Sequence, residues 1–167
     1  MQCVILAAGE GSRMRPLTSS RPKVMLPLVG KPMLEHLIRN VKEAGIKEII
    51  IVVGYKEEAI REYFGDGRSF GVSITYVVQR RQLGTADALR TAEPFITDTF
   101  LMLNGDMVVE IGDLQKICRT EAPVMAVTTT NHPQDFGVVT HTKGKIASLE
   151  EKSPNPKSDI INAGAYL

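Results

Sequence analysis

Residues 4–23, V-I-L-A-A-G-E-G-S-R-M-R-P-L-T-S-S-R-P-K, run a short apolar strand straight into a glycine-rich, basic loop. Gly9 and Gly11 let backbone N–H groups approach an anion closely, because a Cβ at either position would hold the ligand away. Arg13, Arg15, Arg21 and Lys23 place positive charge around the same spot. A tight glycine turn with solvated basic residues is the ordinary alternative. Four cations and two glycines within fifteen residues of a strand end favour a cradle for a polyphosphate. Arg13 and Lys23 are the pair of choice, since Arg clamps phosphate oxygens bidentately and Lys acts as a mobile point charge. Arg15 and Arg21 read as solvated loop charges.

The loop is neither of the two usual phosphate loops. G-x-x-x-x-G-K-[ST] occurs nowhere in the chain, and G-x-G-x-x-G fails because Met14 stands at its third glycine with Pro16 close behind.

Working outward, apolar runs alternate with helical patterns, which predicts an α/β fold on a mainly parallel sheet. Residues 2–8 read as the first strand. Pro32 opens a helix in which Met33, Leu34, Leu37, Ile38, Val41 and Ala44 follow helical spacing to Gly45. The β-branched run 48–53 suits a strand covered on both faces. Helices are predicted over 56–64, 86–95 and 111–120, strands over 73–78, 99–103 and 124–130. From residue 136 the character changes to short strands joined by turns, at 137–141, 145–151 and 160–167. No repeat or linker divides the chain, so 1–167 reads as a single domain.

Composition sets the outer limits. With 43% hydrophobic and 23% charged residues, and a net charge of +1, the chain suits a globular domain whose partner is neither nucleic acid nor an acidic membrane. Two isolated cysteines, Cys3 and Cys118, read as reduced core thiols, and the seven Met as core filler. The first residues lack a charged leader, and no apolar run reaches the roughly 20 residues of a membrane helix. A cytoplasmic location is expected.

Ligands of open parallel sheets sit beyond the carboxyl ends of the strands. The basic loop, the turn from Gln79 to Gly84 and the N-G-D turn at 104–106 should all lie on that edge. Asp106 suits Mg²⁺, which prefers carboxylate and phosphate oxygens, although an Asp in such a turn is often an ordinary surface residue. The Gln79 amide both donates and accepts, as reading a nucleobase requires. Gly84 allows a base to approach the backbone. Strand alternation puts Glu150 and Lys152 on one face and Leu149 and Glu151 on the other. His36, His132 and His141 show no metal-ligand spacing.

The spacing G-x-G-x-R-x-x-P-L-T-x-x-x-P-K, followed by M-L-P-L-V-G-K-P-M-L-E-H-L-I at 25–38, resembles the sugar-1-phosphate nucleotidylyltransferases. Similar blocks recur at Gln79, L-G-T-A (83–86), N-G-D, F-G-V-V (136–139), L-E-E-K (149–152) and N-A-G (162–164), so the likeness runs end to end. It implies a Rossmann-like three-layer sandwich with a mostly parallel mixed sheet, of the nucleotide-diphospho-sugar transferase type. It implies catalytic roles for Arg13, Lys23 and Asp106, with Asp106 a Mg²⁺ ligand. Leu6, Ala7, Ala8, Gly9, Gly11, Gln79, Gly84 and Thr85 would bind the nucleotide; Gly137, Glu150, Lys152 and Asn162 would bind the sugar phosphate.

The implied reaction is transfer of a nucleotidyl group from a nucleoside triphosphate to a sugar 1-phosphate, with release of pyrophosphate. L-G-T-A favours UTP or dTTP, with a sugar 1-phosphate of the glucose or N-acetylglucosamine type as acceptor, since Asn162 resembles members acting on N-acetylated sugars. Guanylyl transfer to mannose 1-phosphate stays open, as do a nucleotide-sugar sensor without turnover and a transferase loading a cofactor precursor. Members of the family continue past N-A-G and carry a second acidic metal ligand there, so the chain is expected to be incomplete at its C-terminus. A homo-oligomer stays open.

Overall fold

The computed structural model describes residues 1–167. β1 (Gln2–Leu6) is the axis of the fold, with Cys3, Val4 and Ile5 fully buried. A hairpin of β2 (Pro27–Leu28) and β3 (Lys31–Pro32) leads into α1 (Met33–Glu43). Then come β4 (Glu48–Val53), α2 (Glu57–Phe64), β5 (Ser73–Val78), α3 (Thr85–Ala92), β6 (Phe100–Asn104) and α4 (Ile111–Arg119). The chain finishes as β7 (Met125–Thr129), β8 (Gly137–Thr142), β9 (Lys145–Glu151) and β10 (Ile160–Tyr166). No helix is long and apolar enough to cross a membrane.

Eight strands make one sheet in the order β5-β4-β1-β6-β10-β8-β9, with β7 also paired to β10. The first four are parallel, in a register that aligns Val4 with Ile50 and Met102. β6–β10, β10–β7, β10–β8 and β8–β9 are antiparallel. The α/β class holds, but the sheet is half antiparallel rather than mainly parallel. A parallel neighbour needs a long crossover, usually helical, and no α-helix follows α4.

The two-residue period of the strands sorts the core onto two faces. Cys3, Ile5, Ile49, Ile51, Leu101 and Leu103 pack beneath α1, α2 and α4 through Leu34, Leu37, Ile38, Ile60, Phe64 and Leu114. Val4, Ile50, Val52 and Met102 pack beneath α3 through Ala88 and Ala92. This is the expected three-layer arrangement. Cys3 and Cys118 are free thiols, both pushed up in pKa by burial.

Local departures have local causes. Pro32 pairs in β3 and precedes α1 instead of opening it. α3 stops at Ala92 and tightens into a 3-10 turn over Glu93–Phe95, because Pro94 cannot donate to the helical ladder and its ring clashes with the preceding turn.

α1 also buries a charge. Glu35 is 3% exposed and accepts from the Tyr63 hydroxyl at 2.6 Å, Arg39 Nε at 2.7 Å and Lys31 Nζ at 3.3 Å. Burial alone would raise its pKa; the Tyr63, Arg39 and Lys31 hydrogen bonds outweigh it and hold the carboxyl below its ordinary value. A depressed carboxyl stabilises the fold above its unfolded pKa and stops doing so as pH falls through the folded one. Glu35→Gln should therefore lower unfolding stability by about 1–2 kcal/mol at pH 7. In urea titrations the gap from the parent should narrow on acidification below the ordinary carboxyl pKa of 4.5.

Candidate active site

The carboxyl ends of the four parallel strands open into one cleft of about 1020 Å³. The basic loop, the turn after β5 and the N-G-D turn meet there as expected, and the antiparallel strands supply the opposite wall. Leu6, Ala7, Ala8, Gly9, Gly11, Arg13, Lys23, Gln79, Gly84, Thr85 and Asp106 line it, as do Gly137, Lys152 and Asn162.

Backbone pairing sets these groups close together. Ala7 N–H donates to Val52 O at 2.8 Å, Gln79 N–H to Val53 O at 2.8 Å, and Gly105 N–H to Leu6 O at 2.9 Å. Gly105 has to be glycine, since a Cβ would stand 2.8 Å from that same Leu6 oxygen.

The loop turns back on itself at Gly11, which sits at φ +65°. Ser12–Met14 then form a 3-10 turn, and the buried Thr18 hydroxyl donates to Gly11 O at 2.9 Å. A Cβ at Gly11 would lie 2.9 Å from Lys23 Cβ, whereas one at Gly9 would meet no protein atom. Only Gly9 therefore fits the reasoning that both glycines keep space for a ligand; Gly11 is needed by the loop itself. The Lys23 ammonium reaches across to Asp106 Oδ2 at 2.5 Å. Arg15 pairs with Glu10 and, like Arg21, does not line the cleft.

No group of three or more His, Cys, Asp or Glu side chains is arranged to hold a metal ion. Asp106 is nonetheless a half-exposed carboxylate already facing a cation, among the cleft's basic side chains. Such a donor set fits Mg²⁺, which keeps waters and takes one or two carboxylates together with phosphate oxygens.

The Gln79 amide is oriented by its neighbours. It is 6% exposed, and its NH₂ donates to Asp87 Oδ2 at 2.8 Å and to Gly84 O at 3.2 Å. A carboxylate accepts only, so the amide nitrogen must face it and the Gln79 carbonyl is left as the acceptor.

The far wall corrects one expectation. Glu150 does not line the cleft; it lies 3.6 Å from the Lys157 ammonium. Glu151 lines the cleft beside Lys152 instead. Alternation fails because β9 ends at Glu151 and Lys152 takes a left-handed φ of 49°, its N–H bonded to Phe136 O at 2.9 Å. Gly137 leaves room for Glu151, whose Oε1 would be 2.8 Å from a Cβ there. The Asn162 amide is largely committed within β10, donating to the Tyr166 hydroxyl and accepting from Gly164 N–H at 2.9 Å.

Sequence reasoning missed Gln82, Asn104, Asp135, Phe136 and Glu151 on the cleft wall. Gln82 Nε2 donates to Ala8 O at 3.2 Å, joining the basic loop to the turn after β5. Asn104, at the end of β6 within N-G-D, carried a signal; Asp135 and Phe136 depend on how β8 and β9 turn.

The model for nucleotidyl transferases matches residues 2–167. The bifunctional protein GlmU of Methanococcus maripaludis is 43% identical over 99% of this chain and 39% of its own length. The UTP–glucose-1-phosphate uridylyltransferase AglF of Haloferax volcanii is 38% identical over 99% of this chain and 71% of its own. A Bacillus anthracis structure described as a glucose-1-phosphate thymidylyltransferase, in complex with sucrose, superposes with a TM-score of 0.89 at 32% identity, over 99% of this chain and 70% of that one. The chain thus spans about two fifths of the length of the GlmU relative. With the family model covering nearly every residue and the same α/β sandwich in a solved relative, the chain belongs to the nucleotidyl transferase family.

Proposed function

We propose that the cleft transfers a nucleotidyl group from a nucleoside triphosphate to a sugar 1-phosphate. The observation that carries this reading is the meeting of Arg13, Lys23 and Asp106 at the glycine loop, opposite a wall bearing Lys152. One half of the sheet would take the nucleotide, the other the sugar phosphate.

A sugar-phosphate oxygen would form the new bond to the α-phosphorus, and the bond from that phosphorus to the β-bridging oxygen would break. The bonding pair leaves on pyrophosphate. The nucleophile is already an anion, so the residues need to place and neutralise charge rather than remove a proton. Arg13 and Lys23 would grip the triphosphate and Lys152 the incoming phosphate, with Gly137 and Asn162 near the sugar. Bound at Asp106, Mg²⁺ would supply further charge neutralisation at the phosphates. Glu151 takes the place first expected for Glu150 as a partner for sugar hydroxyls.

The orientation of Gln79 supports a choice of base. Its carbonyl would accept from a ring N–H, which uracil, thymine and guanine carry at neutral pH and adenine and cytosine lack. The names of the AglF relative and the Bacillus anthracis structure point the same way, to uridylyl or thymidylyl transfer onto glucose 1-phosphate. Guanylyl transfer satisfies the same hydrogen bond. The chain would work as one cytoplasmic domain on small anionic substrates.

In a binding panel with Mg²⁺, UTP, dTTP and GTP should bind about tenfold or more tightly than ATP and CTP. Pyrophosphate should appear only when a sugar 1-phosphate is added. Binding of none of the five would end the proposal; binding without pyrophosphate release would leave a nucleotide-sugar sensor.

A further inference from the structure

The turn between β4 and α2, Gly54-Tyr55-Lys56, does not line the cleft, yet it touches both arms of the basic loop. Gly54 packs on the outgoing arm, where a Cβ would lie 3.0 Å from Ala8 O, and the Tyr55 N–H donates to that oxygen at 3.4 Å. The returning arm is held from the same turn. The Lys56 ammonium donates to Ser19 O at 2.5 Å, and the Tyr55 hydroxyl donates to Thr18 O at 3.4 Å. That ammonium also sits 5.5 Å from the centroid of the Tyr55 ring. Thr18, 1% exposed, carries the hold inward through its hydrogen bond to Gly11 O.

The backbone marks Lys56 as unusual. It sits at φ 51°, ψ 44°, in the left-handed region where glycine is at ease and a side chain is disfavoured. Such conformations persist where surrounding contacts over-determine them, and they cluster at functional sites. A glycine would satisfy this turn. The lysine adds a cation that lies by the Tyr55 ring and gives its hydrogen bond to the loop.

We propose that Lys56, seated on Tyr55, is a positioning residue that holds the Thr18–Ser19 arm and so keeps the loop from Gly9 to Lys23 in its anion-gripping shape. The inference rests on the reading that this loop takes a nucleoside triphosphate. Lys56 acts through the loop, not on the ligand. A loop released from this hold must be ordered on binding, and that ordering is subtracted from affinity.

Lys56→Gly separates this role from support of the fold, because it removes the ammonium and relieves the backbone. The variant should melt no lower than the parent. By calorimetry with Mg²⁺, its dissociation constant for UTP should rise about tenfold, the scale of one charge-assisted hydrogen bond, while that for glucose 1-phosphate stays unchanged. Lys56→Arg should recover UTP affinity to within about twofold of the parent, since it keeps a cationic donor. An unchanged UTP constant in Lys56→Gly overturns the proposal. So does a loss of affinity for both ligands together with a lower melting temperature, which would mark a general structural role. If the parent itself binds no triphosphate, the reading of the loop fails with it, and the parent measurement tells the two failures apart.

Discussion

Asp106→Asn is expected to cut pyrophosphate release by about a hundredfold or more, the scale of several kcal/mol supplied by a metal ion at a phosphoryl centre, while the fold stays almost as stable as before. Asparagine keeps the shape of the side chain and one acceptor oxygen but loses the charge that a hard cation needs. The stability change should be small because the Lys23–Asp106 pair is partly open to water, its side chains 31% and 39% exposed. Pairs of that kind contribute about 0–1 kcal/mol. Magnesium affinity and turnover should fall together. Metal-free triphosphate affinity should not fall, since Lys23 no longer has a carboxylate competing for its ammonium. Turnover at the parent rate would remove Asp106 from the reaction.

Gly11→Ala should damage fold and ligand binding at once. At φ +65° an alanine is strained by about 1–2 kcal/mol. Its Cβ would also sit 2.9 Å from Lys23 Cβ and 3.1 Å from Thr18 Cγ2. Relief means moving Lys23 away from Asp106 or Thr18 away from Gly11 O, and either opens the loop. Denaturant unfolding should show a loss of about 1–3 kcal/mol, and calorimetry a triphosphate affinity lowered at least tenfold. Gly9→Ala is the contrast, because its Cβ meets no protein atom. That variant should keep its stability and lose affinity alone. Equal stability losses in the two variants would contradict this division between a glycine the chain needs and one the ligand needs.

Three of the four parallel strands, β1, β4 and β6, were legible because they are buried on both faces and read as apolar runs, while the edge strand β5 showed as an alternating one. The 48–53 run is β4, and the carboxyl-edge rule brought the basic loop, Gln79 and Asp106 to one cleft. The late strands were placed nearly as well in sequence, but Glu150 lies off the cleft and Glu151 on it. Alternation holds only while the strand lasts, and the left-handed Lys152 that ends it has no signature in the residue type. The ion pair of Lys23 with Asp106 joins residues far apart in sequence, so no local pattern could announce it.

The chain's local chemistry by itself determined the α/β class and the phosphate-suited loop and brought Gln79, Gly84 and Asp106 to the same edge, because period, glycine and charge act over a few neighbouring positions; the family resemblance supplied the other cleft residues. Only the tertiary structure decided the half-antiparallel sheet, the placing of Glu151 rather than Glu150 on the cleft wall, the orientation of the Gln79 amide by Asp87 and the grip of Lys56 on the loop. Each of these depends on how distant strand ends meet, and that is set by the packing of the whole sheet.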